Sequence, residues 1–179
     1  MDAMRAVAAL LAGASRTAQT CEGTPDAAWQ ARLAPGGYSM ADVVEHMAQA
    51  QGQILGALQA ALARGSRPQP FSTVADEEVP FAFIRNGEAP GSGPSAAPLS
   101  REEAIAQLCA SAAAIAEWNA GVSLDLRTVG LTHPDYGSLD GVQWILLAVA
   151  HTEMHRSDLM LLKRGVSPSA GPAPAKAPA

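Results

Sequence analysis

Thirteen prolines punctuate the 179-residue chain, and their clustering decides where long helices can run. A proline inside a helix removes a main-chain hydrogen bond and clashes with the preceding turn. Three are scattered (Pro25, Pro35, Pro134), six lie between Pro68 and Pro98, and four lie beyond Ser167. Four segments outside these clusters carry helix-length apolar patterns. Composition points the same way: 38 residues are alanine, which has no side-chain entropy to lose in a helix. Aromatic residues are only 4% and β-branched residues are scarce, which argues against a sandwich or barrel. The chain is therefore predicted to be all-α.

The first helix is expected from about Asp2 to Thr20, with Met4, Val7, Leu10, Leu11, Ala14 and Ala18 at helical spacing. The same stretch loosely imitates a signal peptide, with Arg5 before Ala6–Leu11 and then Ala12-Gly13-Ala14. Its apolar core is short and diluted by alanine, and Asp2 spoils the charged start, so the expectation is an amphipathic helix in a cytoplasmic protein. The second helix opens at Ser39-Met40-Ala41-Asp42, a capping-box pattern, and continues to about Arg64 before Gly65. The third opens at Ser100-Arg101-Glu102-Glu103 and runs to about Ala120, before Gly121. The fourth begins after Gly137-Ser138 and ends near Arg164, before Gly165.

Four such helices predict a four-helix bundle over residues 1–165. The 35 residues from Gly65 to Leu99 are too long for a simple turn between helices and read as a crossover or pocket cover. Residues 166–179, rich in proline and alanine, are expected to form a disordered tail. A net charge of −5 with no basic run speaks against nucleic acid as a partner. No run of 18 apolar residues exists, so a membrane span is not expected. Cys21 and Cys109 form no Cys-x-x-Cys pair, which leaves the four histidines as the main carriers of chemistry.

His151 and His155 are four residues apart on the fourth helix and project about 40° apart, a common way to offer two imidazoles to one metal ion. Trp144, Leu147, Ala148 and Leu162 share that stripe, as does Asp158 one turn further on; Trp144 is expected to pack in the core. Glu153 lies on the opposite side, so this is not the His-Glu-x-x-His pattern of zinc proteases. His46 flanks the apolar stripe of the second helix, ~9 Å from its start, and His155 is ~13 Å from the end of the fourth.

The two reach one level only if those helices are antiparallel. An up-down-down-up order makes them so, provided that the chain crosses a whole helix length between the second and third helices. That span is ~36 Å for 24 residues, and the 65–99 linker has the reach for it. His46, His151 and His155 are therefore candidate metal ligands. His133 lies ~27 Å of helix rise from His155 and reads as a loop histidine that ties the Pro134–Gly137 turn. Glu45, ~100° around the helix from His46, is expected on the flank or surface.

The ordered set Tyr38-Ser39, Glu45-His46-Met47, His133-Pro134-Asp135-Tyr136-Gly137, Gln143-Trp144 and His151…His155 resembles the DinB/YfiT-like family of metalloenzymes. The resemblance covers essentially residues 1–165. It implies a four-helix bundle of the helix order above, a divalent metal held by three histidines, and frequent homodimers. Tyr38 stands where the family often has Trp, and Asp158 where glutamine is common. That departure leaves open whether Asp158 orients His155 or joins the metal shell.

Three neutral imidazoles leave a coordination position open, suited to activating water or binding a thiolate. Zinc, nickel or iron fits such a donor set. The expected function is a metal-dependent enzyme acting on a small molecule. It is either a hydrolase or a transferase that uses a low-molecular-weight thiol, as the resemblance implies. The alternative is a non-catalytic, dimeric bundle that binds a metal or a small molecule.

Overall fold

The computed structural model describes residues 1–34, 37–63, 74–79, 97–133 and 137–166. Among them are five helices and one two-stranded sheet: α1 (Ala3–Cys21), α2 (Asp26–Trp29), α3 (Met40–Ala63), α4 (Arg101–Gly121), β1 (Gly130–His133), β2 (Gly137–Asp140) and α5 (Gly141–Lys163). A single 3-10 turn at Leu126–Thr128 precedes β1. The molecule is mostly helical, as predicted. The hairpin and the one-turn α2 were not. The tail from Ser167 onward lies outside the described residues, as does the 65–99 segment except for 74–79 and 97–99.

Both capping boxes form at the start of their helices. The Asp42 N–H donates to Ser39 Oγ (3.2 Å), and the Ser39 N–H donates to Asp42 Oδ2 (2.9 Å). Ser100 and Glu103 exchange the same pair of bonds at α4. Each cap satisfies main-chain donors that a helix end leaves orphaned, an effect worth ~1 kcal/mol. α5 begins two residues later than predicted because 137–140 pairs with 130–133 as an antiparallel strand. Its cap is a third box, Asp140 with Gln143, in which the Gln143 N–H donates to Asp140 Oδ1 (2.9 Å).

The four long helices form a closed ring of contacts: α1 packs on α4 and α5, and α3 packs on the same two. On α1 the predicted stripe buries Val7, Leu10 and Ala14, whereas Met4 and Leu11 are exposed. The amino-terminal half of α3 is buried on every side from Met40 to Ala48. Besides α4 and α5, α2 packs on α3, and the segment before α4 is tied to it: the Leu99 N–H donates to Glu45 Oε1 (2.7 Å) and the Trp29 indole N–H donates to Leu99 O (3.0 Å).

Residues 74–79 attach to the end of the bundle where α5 begins. Gln143 Nε2 donates to Val74 O (2.7 Å), and Val79 is buried in the core. Arg127 donates to both oxygens of Asp76 and to Asp140 Oδ2 (2.7 Å). The Met1 ammonium donates to Asp76 Oδ2 (2.6 Å). These hydrogen bonds, from Arg127 above all, hold the Asp76 carboxyl down at about 2. Cys21 and Cys109 are both free, the first buried and the second exposed.

Candidate metal centre

Each histidine of the predicted set is positioned by a long helix. His46 sits about two turns into α3, and His151 and His155 lie on consecutive turns of α5. The packing of α3 on α5 brings the three rings together. His46 Nε2 and His151 Nε2 are 3.0 Å apart. Ring centroids are 4.9 Å apart for His46–His151, 5.1 Å for His46–His155 and 4.5 Å for His151–His155. One ring nitrogen from each of the three lies within 4.8 Å of the others, a separation that a metal ion can bridge. Two nitrogens bound to one tetrahedral zinc at 2.0–2.1 Å would stand roughly 3.3 Å apart.

Metal binding needs neutral imidazoles with a free lone pair. Burial pushes the His46 ring down to about 4, helped by the charge of His155. Burial also holds His151 well below its ordinary value, with His155 and His46 adding to the effect. Both rings are thus kept unprotonated at neutral pH.

His155 is held by a neighbouring carboxylate. Its Nδ1 lies 2.9 Å from Asp158 Oδ2, and an ionised carboxylate can only accept, so Nδ1 carries the proton. His155 Nε2, the other ring nitrogen, is buried with no hydrogen-bond partner among the described residues. A buried polar atom left without a partner is costly, and an ion would satisfy it. The donor set therefore fits a divalent metal.

Asp158 is placed on the outer nitrogen of His155, which is where a carboxylate orients a metal-binding imidazole. Glu153 points away, as expected, and pairs with Arg16 (2.5 Å) and Arg156 (2.8 Å).

Two expectations are corrected. His133 is not in a loop: it ends β1 opposite Gly137, with its ring 5.5 Å from that of Trp144. The hairpin, hidden in a short stretch of weak alternation, pulls it there, and Pro134–Tyr136 lie outside the described residues. Trp144 itself is part-buried against the core, as expected.

Glu45 is not on the surface. It is only 8% exposed, and its Oε1 accepts the Leu99 N–H at 2.7 Å. The apolar residues on both sides of it, Val43, Val44, Met47 and Ala48, were a signal that no side of this helix half faces water. Asp42 is buried as well. Burial alone would raise its carboxyl, but hydrogen bonds from Ser39 and Arg32 outweigh that and hold it below the usual range.

No curated protein and no solved structure matches the chain. A family model does: that of the DinB superfamily matches residues 9–159. The matched span runs from the first turns of α1 almost to the end of α5 and contains all three clustered histidines. The chain belongs to the DinB superfamily.

Proposed function

We propose that the protein is a metal-dependent enzyme in which His46, His151 and His155 hold one divalent ion, with zinc, nickel or iron as the metal. The observation that carries the proposal is the set of three imidazole nitrogens within 4.8 Å, two of them on rings that burial keeps neutral. A three-imidazole ion supplies Lewis acidity at an open coordination position, where a water or a thiol can be activated. That chemistry suits a hydrolase or a thiol-dependent transferase acting on a small molecule. Asp158 holds the proton on His155 Nδ1 and fixes the ring. Glu45 and Trp29 clip both main-chain groups of Leu99, which fixes the entry to α4 beside His46.

The helix order proposed with this site is up-down-down-up. Contacts near matching ends support it. Glu45 meets Leu99 and Gln51 meets Ser111, which run α3 and α4 in the same direction. His46 meets His151 while Leu58 reaches Gly141, which opposes α3 and α5. A homodimer belongs to the same reading, and sedimentation velocity measures it.

Metal content tests the proposal. Protein purified without a histidine tag should carry close to one equivalent of a divalent metal by elemental analysis, and His151→Ala should lose most of it. Less than a tenth of an equivalent in both proteins, after incubation with zinc, would overturn it. Chelation followed by a thermal melt then separates a catalytic from a structural ion, since an apo protein that stays folded favours catalysis. A melting shift with low-molecular-weight thiols would favour the transferase type, whereas ester or amide turnover without one favours the hydrolase.

A further inference from the structure

A polar chain crosses the otherwise apolar core beside the histidine cluster. Ser111 Oγ on α4 donates to Gln51 Oε1 on α3 (2.7 Å). Gln51 Nε2 donates to Thr152 Oγ1 on α5 (3.1 Å), and Thr152 Oγ1 donates to Ala148 O (2.7 Å). Gln51 and Thr152 are wholly buried. Three helices are thus joined by directional bonds at one level. Thr152 is the residue after His151, and Gln51 is ~7.5 Å along α3 from His46.

Apolar packing is only weakly directional, so aliphatic ridges at this level would tolerate small slides of α3 along α5. Hydrogen bonds with both partners buried do not tolerate such slides, because a shift leaves an amide or hydroxyl unsatisfied. A slide of one residue is ~1.5 Å along the axis, enough to undo the 3.0 Å approach of His46 to His151.

We propose that Gln51, Thr152 and Ser111 are positioning residues that set the register of α3 against α5, and through it the ligand spacing of the metal centre. The inference rests on the metal-centre reading above. It assigns to these side chains a role that apolar residues of the same size could not fill, even though such residues would serve the core as well or better.

The test compares Gln51→Met, Thr152→Val and Ser111→Ala with Thr152→Ser, which keeps the hydroxyl. Each protein is stripped of metal, melted, and titrated with Co²⁺ and Zn²⁺. The expected result is that Gln51→Met and Thr152→Val melt within a few degrees of wild type or above it. They should bind both ions 10- to 100-fold more weakly and show altered Co²⁺ visible absorption. Thr152→Ser should restore affinity to within about threefold of wild type. Ser111→Ala, at the part-buried end of the chain of bonds, should fold in any event and lose affinity in the same direction by a smaller factor.

Wild-type affinity and an unchanged Co²⁺ spectrum in the folded variants would overturn the inference while leaving the metal centre standing. A wild-type protein that takes up neither ion would overturn both. A purely structural role would lower the melting temperature of the metal-free variants with no change in spectrum, and that outcome would also overturn the inference.

Discussion

Asp158 Oδ2 lies 2.9 Å from His155 Nδ1, one turn further along α5, and so holds that ring with its Nε2 buried and without a hydrogen-bond partner among the described residues. Asp158→Ala is expected to lower zinc affinity 10- to 100-fold by releasing the ring and its tautomer. Asp158→Asn should lose less, because its amide oxygen can still accept the Nδ1 proton. The metal-free melting temperature should change little in either, since the aspartate side chain is partly exposed. Isothermal titration calorimetry on both variants checks this, and equal affinities for wild type and Asp158→Ala would refute it.

Acid should destabilise the metal-free protein in a window set by the buried rings. His46 is pushed down to about 4 and His151 is held well below its ordinary value, whereas the unfolded chain takes up protons near 6.5. Between those values the unfolded state binds more protons than the fold, so stability rises with pH there. It should be complete above 6.5 and fall steadily as pH drops toward 4. Urea melts in chelator from pH 4 to 8 measure this, and a flat profile across the window would count against it. Zinc at a hundred times its Kd should add ~2.7 kcal/mol at pH 7.5.

The Asp76–Arg127 pair has a different window. The Asp76 carboxyl titrates at about 2 in the fold against 3.8 unperturbed, so its contribution is present above 3.8 and lost as pH falls through 2. Asp76→Asn is expected to cost ~1 kcal/mol at pH 7. The gap from wild type should close between pH 4 and 2. A gap that persists at pH 2 would show that the cost comes from lost packing rather than from the ion pair.

Gly13 is a position on α1 where a side chain would meet α5. A Cβ built there would stand 3.2 Å from Thr152 Cγ2 and 3.4 Å from Glu153 Oε1. Thr152 cannot move freely, since its hydroxyl is bonded to both Ala148 and Gln51. Gly13→Leu is expected to destabilise by ~1–3 kcal/mol through overpacking, against its better helix propensity. Gly52→Leu serves as a control, because nothing lies within 4 Å of a Cβ at Gly52. Equal melting temperatures for the two variants would rule the crowding out.

How far the site was legible differs from residue to residue. The capping boxes at Ser39 and Ser100 marked two helix starts because they are local chemistry, complete within four residues. The true start of α5 was also written locally, in Asp140 and Gln143, but the glycine and serine just before it masked the signal. His133 and Glu45 were misplaced for a common reason. The first belongs to a strand held by its partner, and the second is covered by Leu99, which is more than fifty residues away in the chain.

The four long helices with bounds to within two residues, the helical class and the candidate histidines follow from sequence alone, because periodicity, caps and prolines act within a few residues. The separation of the three rings is another matter, as are the neutral state of His46 and His151, the proton on His155 and the polar bonds from Gln51. Those depend on which helix faces overlap and at what height. Burial and contact across more than a hundred residues of chain are collective, and only the packed bundle decides them.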